Sequence, residues 1–383
     1  MLPISVLKDT AIGIEAHYYL QKALALQLKE PLVSALGGFP FGLKQMIQND
    51  IRELRENSIK PVFVFSGLQM VPTEKPFSVP DDSAKLRTRA WELYDKGQAV
   101  EAVDMFGQAG VITVVELFRI VMRILRDEKV DFQVSPYASW PQLAYLEKTG
   151  YVDSIYGGSD LFLFDVEKVI VNFNLGTGHF YWVNKARLRS DLLLTNDHFV
   201  DAILLSGCSF CRPFPPLENS QQQFSDAVAL IKRNRSVGNA INSHPDQTEY
   251  LDKFRKARAA IKHHPVMTED GKVEQMNFHE SPADVQDFIG LRLPEELYFY
   301  LSRGMIGSQV MDMITTGEYI QSPPLDGNES DEYKKFLNEL NVMRTESLSL
   351  LSKSIHRLWF TRTLPTHRRL HRSGMCGRMC GDQ

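Results

Sequence analysis

Two short runs of β-branched and aromatic residues, 10–16 (TAIGIEA) and 61–65 (PVFVF), flank a helical period and constrain the fold more than any other feature. Each run is too short for a stable helix and too continuously apolar for a sheet with one wet face, so both read as buried strands. Between them Leu43, Met46, Ile47, Ile51 and Leu54 recur along one face of a helix. Strand, helix, strand in that order needs a crossover connection, and so a mostly parallel sheet covered by helices on both faces. The pattern continues with strands at 130–134 and 152–156 around a helix at 142–148. Residues 161–164, 168–173 and 179–183 read as further short strands with a hairpin among them. Helical periods also occupy 84–94, 114–126 and 197–205.

Proline punctuates the rest. Pro72, Pro76 and Pro80 lie in an aperiodic stretch, 68–82, that reads as a long exposed loop. The run 212–217 (RPFPPL) stops any helix, because proline lacks the amide and clashes with the preceding turn. A domain boundary is expected there, giving an α/β domain at 1–217 and a helix-rich region at 218–357, with an acidic loop at 321–332. The segment 358–383 mixes Arg, His, Cys, Gly and Met without period, and is expected to be a disordered, dispensable or aberrant tail.

Composition narrows the function classes. Lys plus Arg number 43 against 47 acids, a net charge of −4, which argues against coating nucleic acid by charge alone. Four cysteines among 383 residues make no disulfide scaffold and fit a reducing compartment. Charges break every apolar stretch before the ~18 residues a membrane helix needs. Lys8, Asp9 and Glu15 likewise interrupt any signal-peptide pattern. The expectation is a soluble, intracellular chain. Cys208 and Cys211 read as structural rather than zinc-binding, the other pair, Cys376 and Cys380, lying in the suspect tail. His263, His264 and His279 sit in a charged stretch and read as exposed.

In an open parallel sheet, ligands bind beyond the carboxyl ends of the strands. Those ends carry GIEAHYYL at 13–20, PVFVFSG at 61–67, SPYASWPQLAYL at 135–146, GGSDLFLF at 157–164 and GCSFC at 207–211, with Arg87 and Arg89 after the proline loop. In this order and spacing the segments resemble the XPG/flap-endonuclease superfamily of 5′-nucleases, with its PIN-like fold, over residues 10–211. The resemblance implies a ring of carboxylates holding two divalent cations, since close dications need several anionic oxygens. Position by position, that ring has thinned. Glu15 stands where the first strand should end in Asp, and Asp160 keeps one acid of an Asp-x-Asp pair. Ser66, Ala138, Trp140, Gly158 and Ser209 stand where acids should be. Asp153 and Asp165 lie close enough in sequence to be asked whether they rebuild a site. The family's glycine-rich phosphate grip after GCDYC is replaced by Arg212, Pro213, Phe214, Pro215 and Pro216, which offer few amides to an anion.

Within the superfamily the chain is similar to the fungal Mkt-like (maintenance of killer toxin) proteins, through its acid-free FVF-x-G strand and a GGFPFGL segment at 37–43. That resemblance implies a catalytically inactive nuclease fold without a cofactor. It also implies cytoplasmic post-transcriptional regulation through an ataxin-2-like partner associated with poly(A)-binding protein, mRNA contact being indirect. It further implies a distal extension beyond this chain and a segment before the first strand. Two other readings stay open. One is a magnesium-dependent 5′-nuclease with a rearranged acidic site. The other is direct binding of single-stranded RNA through Arg87, Arg89, Arg119, Arg123 or Arg126 with stacking on Trp91 or Trp140.

Overall fold

A computed structural model describes residues 1–26, 39–70, 83–109, 114–244, 248–282, 284–290, 292–308, 310–311, 319–321, 330–353 and 366–368. Two units emerge from its contacts. One comprises Met1–Ala23, Lys44–Ser78 and Phe118–Ile306; the other comprises Leu24–Leu43, Val79–Leu117 and Gly307–Gln383.

The chain opens with β1 (Leu2–Pro3), β2 (Ala11–Glu15), α1 (Ala16–Leu26), α2 (Leu43–Glu56) and β3 (Lys60–Phe65). All five residues of the α2 period are buried, so the expected apolar stripe is the face that meets the sheet. Next come α3 (Ser83–Asp95), α4 (Ala99–Ala109), α5 (Val114–Asp127), β4 (Asp131–Val134), α6 (Ser139–Lys148) and β5 (Ser154–Tyr156). A hairpin follows, β6 (Lys168–Asn174) and β7 (His179–Asn184), then α7 (Lys185–Asp191) and α8 (Asn196–Ser206). Together the strands form a seven-stranded sheet in the order β1-β7-β6-β5-β2-β3-β4. Its β6-β5-β2-β3-β4 section is parallel, while β7 runs antiparallel to both β6 and β1. The α/β, mostly parallel architecture is therefore as expected. Residues 62–65 of β3 are all buried, as a strand covered on both faces must be.

Three local readings differ. Residues 161–164 belong to a 3-10 turn over Ser159–Leu163 and not to a strand. All four of those side chains are buried, and a short apolar run carries no period to separate the two states. The reading also places no helix at α4, although Ala102, Phe106 and Ala109 form its buried face. The third difference is the boundary at 217/218, which is not where the contacts divide.

Beyond it lie α9 (Gln223–Asn234), α10 (Val237–Asn242), α11 (Thr248–Lys262), β8 (Pro265–Met267), β9 (Val273–Gln275), α12 (Val285–Ile289) and α13 (Glu295–Ser302). Ile231, Ile241, Phe254 and Ile261 from these helices share one apolar cluster with Val64, Leu143, Ile155 and Leu204 of the sheet layers. The helices complete the first unit's core instead of starting a new one.

In the second unit α3 and α4 pack through Ala90, Ala102 and Phe106, with the Trp91 ring set edge-on to Phe106 at 5.1 Å. The same unit holds β10 (Tyr319–Gln321), α14 (Asp331–Lys353) and β11 (Thr366–Arg368), with β10 and β11 paired in parallel. The proline loop at 71–82 and most of the 358–383 tail lie outside the described residues.

One buried amide ties the later elements to the sheet. Gln142 on α6 is fully buried; its Nε2 donates to the Met267 carbonyl at 2.9 Å, and its Oε1 accepts the Met267 amide at 2.8 Å. The side chain thus pairs with β8 as a neighbouring strand would. Gln142→Leu strands both backbone groups in an apolar setting, and urea unfolding should register a loss of about 2–4 kcal/mol.

Candidate functional site

Glu15 ends β2 at the carboxyl edge of the sheet, where β2 lies between β3 and β5. Its side chain is only 3% exposed. The Trp140 indole donates to Oε1 at 2.8 Å, and the Gly158 amide donates to Oε2 at 3.0 Å. Gly157 permits that approach, since a β-carbon there would stand 2.8 Å from Oε2. Burial dominates the electrostatics and lifts the Glu15 carboxyl from near 4.5 to about 7; the Gly158 bond opposes the shift, Asp160 adds to it, and the Trp140 bond opposes it again.

Asp160 is close enough to feel Glu15, and its Oδ2 accepts from Ser209 Oγ at 2.5 Å. Its carboxyl is raised by burial, against the pull of hydrogen bonds from the Ser209 hydroxyl and amide. Ser209, where the family resemblance leads one to expect an acid, supplies a donor to Asp160. Ser66, just after β3, uses both functions of its hydroxyl: it accepts the Ser139 amide at 3.2 Å, capping the start of α6, and donates to Ser139 Oγ at 3.1 Å.

The first turn of α6 is closed from another direction. His264 is fully buried; its Nε2 accepts the Ala138 amide at 3.2 Å, which leaves the proton on Nδ1, directed at the Ala260 carbonyl at 3.3 Å. Burial lowers the imidazole from near 6.5 to about 3, so the ring is neutral at physiological pH. This corrects the expectation that His263 and His264 are exposed, because both are buried where α11 turns into β8. Charge in the flanking sequence hid them. Around His264, Phe210 gathers the rings of Trp140 at 5.7 Å, Phe164 at 6.0 Å and His264 at 6.0 Å. Neither Phe210 nor His264 carried any signal in sequence that placed it here.

Asp153 and Asp165 do not join Glu15 and Asp160. Asp153 accepts the Ala11 amide at 2.7 Å, at the amino end of β2 and so the wrong edge of the sheet. Asp165 is exposed and acts on Lys185, whose ammonium donates to the Phe164 carbonyl and is lowered by burial to about 8. Among the described residues no three His, Cys, Asp or Glu side chains are grouped as a metal ion would require. The residues present do not fit a pair of divalent cations. Glu15's two oxygens each accept an N–H donor, one Asp160 oxygen accepts a hydroxyl, and the neighbouring positions present Trp140, Gly158 and Ser209 in place of anions. Cys208 and Cys211 form a two-residue hairpin bridge; both are buried, and burial pushes the Cys208 thiol well above its ordinary value. Cys376 and Cys380 lie outside the described residues.

The family profile described as "XPG I-region" matches residues 129–209, which hold β4, α6, β5 and the Glu15-facing loop. A second profile, described as "Temperature dependent protein affecting M2 dsRNA replication", matches residues 282–368. The chain is 34% identical over 394 aligned residues to Post-transcriptional regulator MKT1 of Cryptococcus neoformans, covering 95% of this chain and 51% of that protein. To Post-transcriptional regulator MKT1 of Saccharomyces cerevisiae it is 23% identical, covering 93% of this chain and 55% of that protein. The chain is a homologue of the MKT1 regulators. It spans about half the length of these curated relatives. Among solved structures, the catalytic core of Rad2 in complex with DNA substrate aligns at a TM-score of 0.45 and 15% identity, over 82% of this chain and 94% of that one. The MKT1-type profile runs through Arg368, and so enters the segment read from sequence as a tail. Among the described residues, no helix is long and apolar enough to cross a membrane.

Two predictions come from the geometry of the Glu15 cleft. Trp140→Ala removes both the cover over Glu15 and one of its two hydrogen bonds, and should cost about 3 kcal/mol in a denaturant melt. The second concerns pH. Folding raises the Glu15 carboxyl, so the native state favours its protonated form. That contribution is complete below about 4.5 and is lost as pH rises towards about 7. Its size is on the order of 3 kcal/mol at about 1.4 kcal/mol per pH unit. Glu15→Gln should flatten this part of the stability–pH profile, whatever its effect on absolute stability. His264 works in the reverse sense. Its stability contribution is present above about 6.5 and falls as pH drops towards about 3.

Proposed function

We propose that the chain is a catalytically inactive nuclease-fold scaffold in cytoplasmic post-transcriptional regulation of mRNA, and that it acts through an ataxin-2-like partner associated with poly(A)-binding protein. The observation that carries the reading is the state of Glu15. A metal-bridging carboxylate must be ionised and must direct free lone pairs into a wet cleft. Glu15 is dry and shifted to about 7, and both its oxygens accept hydrogen bonds from Trp140 and Gly158. The same groups that remove metal chemistry hold the old cleft shut as packed core. Homology to proteins named post-transcriptional regulators supports the regulatory half of the reading.

The rearranged-nuclease reading draws no support from the positions of Asp153 and Asp165. Retaining a rigid sheet and its helices while discarding the acids suits a docking platform. Partner contact is assigned to residues 219–357, whose helices offer surface beyond the strand-and-crossover body.

Two experiments test this proposal. With magnesium or manganese, the chain should leave flap, nicked and single-stranded substrates intact; cutting that vanishes in a Glu15→Gln/Asp160→Asn variant would overturn it. Co-purification of an ataxin-2-like protein should survive RNase and the same double substitution. Complete loss of the complex on RNase treatment would replace the scaffold by an RNA-bridged assembly.

A further inference from the structure

The exposed side of α5 carries Arg119, Arg123 and Arg126, spaced so that all three lie along one face with Met122. The C-terminal end of α13 sits on that face. Arg126 donates to the carbonyls of Arg303 and Gly304, and Gly304 lies close against the Met122 sulfur and the Arg126 guanidinium. Beside this seam α13 presents two aromatic rings to solvent, Phe299 at 49% and Tyr300 at 44% exposure, with the Arg303 guanidinium 5.4 Å from the Phe299 ring centre. Arg126 is occupied by its carbonyl contacts and by the Phe132 ring at 5.3 Å. Arg119 and Arg123 are exposed, and no ion pair or hydrogen bond to another described residue engages either guanidinium.

We propose that this seam binds single-stranded RNA, with Arg119, Arg123 and Arg303 on successive phosphates and Phe299 and Tyr300 as stacking platforms for bases. The chemistry favours this polymer over an acidic peptide. A row of guanidiniums satisfies either polyanion, but exposed rings on the same helix end as the Arg303 guanidinium offer energy only to a ligand that alternates charge with flat π-surfaces. An A-form duplex offers phosphates but keeps its bases stacked away from such rings. Glu296, one turn before Tyr300 on α13, and Asp127, one turn after Arg123 on α5, are exposed acids here whose repulsion limits the affinity, while Glu295, one turn before Phe299, is paired with Arg292. The scaffold reading needs no direct RNA contact, and the seam lies apart from the Glu15 cleft. The two proposals therefore stand or fall separately.

The test is fluorescence anisotropy of a labelled uridine oligonucleotide against the full chain over a salt series. Unlabelled duplex RNA and a polyglutamate peptide serve as competitors. The single strand should bind, and the logarithmic salt slope should fall by about 1.4 in Arg119→Ala/Arg123→Ala, at about 0.7 per phosphate contact. Phe299→Ala/Tyr300→Ala should weaken binding about tenfold at fixed salt and leave the slope unchanged, the mark of lost stacking. Glu296→Gln should tighten it. All these side chains are exposed, so an unchanged thermal melt separates loss of binding from loss of fold. Binding that none of the variants alters overturns the proposal, as does competition by polyglutamate as effective as that by unlabelled single strand.

Discussion

Two donated hydrogen bonds, from the Trp140 indole and the Gly158 amide, hold the Glu15 carboxyl in a place that water does not reach. A carboxylate in such a place must be neutralised by a cation, satisfied by donors or protonated. No described cation bonds to it, so the fold uses the other two solutions together. The donors come from different crossovers, one from the start of α6 and one from the loop after β5. Glu15 itself ends the central strand. A single side chain thus ties the end of β2 to the first turn of α6 and to the loop after β5, and Trp140 cannot leave it without leaving an orphaned acceptor in the core.

The start of α6 shows the same logic in its backbone. A helix N-terminus carries partial positive charge and amides without partners, and so attracts acceptors and anions. Here the Ala138 amide is taken by a neutral imidazole and the Ser139 amide by a serine hydroxyl. Both are acceptors without charge. His264 can serve only while neutral, because a protonated ring has no lone pair to offer and would place a cation at the positive end of a helix. Its burial among Tyr137, Phe164 and Phe210 enforces that state. Since His264 lies at the junction of α11 and β8, the region after residue 217 cannot be detached without exposing the first turn of α6.

That dependence explains what the sequence could and could not reveal. Strand positions were legible because β2 and β3 are continuously apolar and α2 between them has a clean period; their order alone implies a parallel sheet. Glu15 and Ser66 were placed at strand ends by the same pattern, whereas Trp140, Asp160 and Ser209 were singled out only through the family resemblance. The closing groups were not. Phe210 lies inside a two-residue turn and His264 in a charged stretch, and neither environment has a period that reports burial. Gln142 read as an ordinary helix residue, although its amide carries the link to β8. The prolines at 213, 215 and 216 suggested a boundary, but α8 has already ended at Gly207 and the apolar faces of α9 and α11 return to the same core.

A metal-bound nuclease must keep several like charges together around a wet cavity, and without its cations that arrangement repels itself. Replacing those acids removes the repulsion and, more consequentially, removes the need for water. Once dry, the space can be filled by an indole, a phenyl ring and an imidazole, each bringing apolar area and a directed contact. In this chain the filled space lies beside the β8–β9 hairpin, which Gln142 ties to α6. Those elements in turn carry α13 to the side of α5, where Gly304 rests on Met122. The dry interior around Glu15 and the surface carried by α5 and α13 are consequently linked through continuous packing, because a surface can be shaped reliably only where the core beneath it is solid.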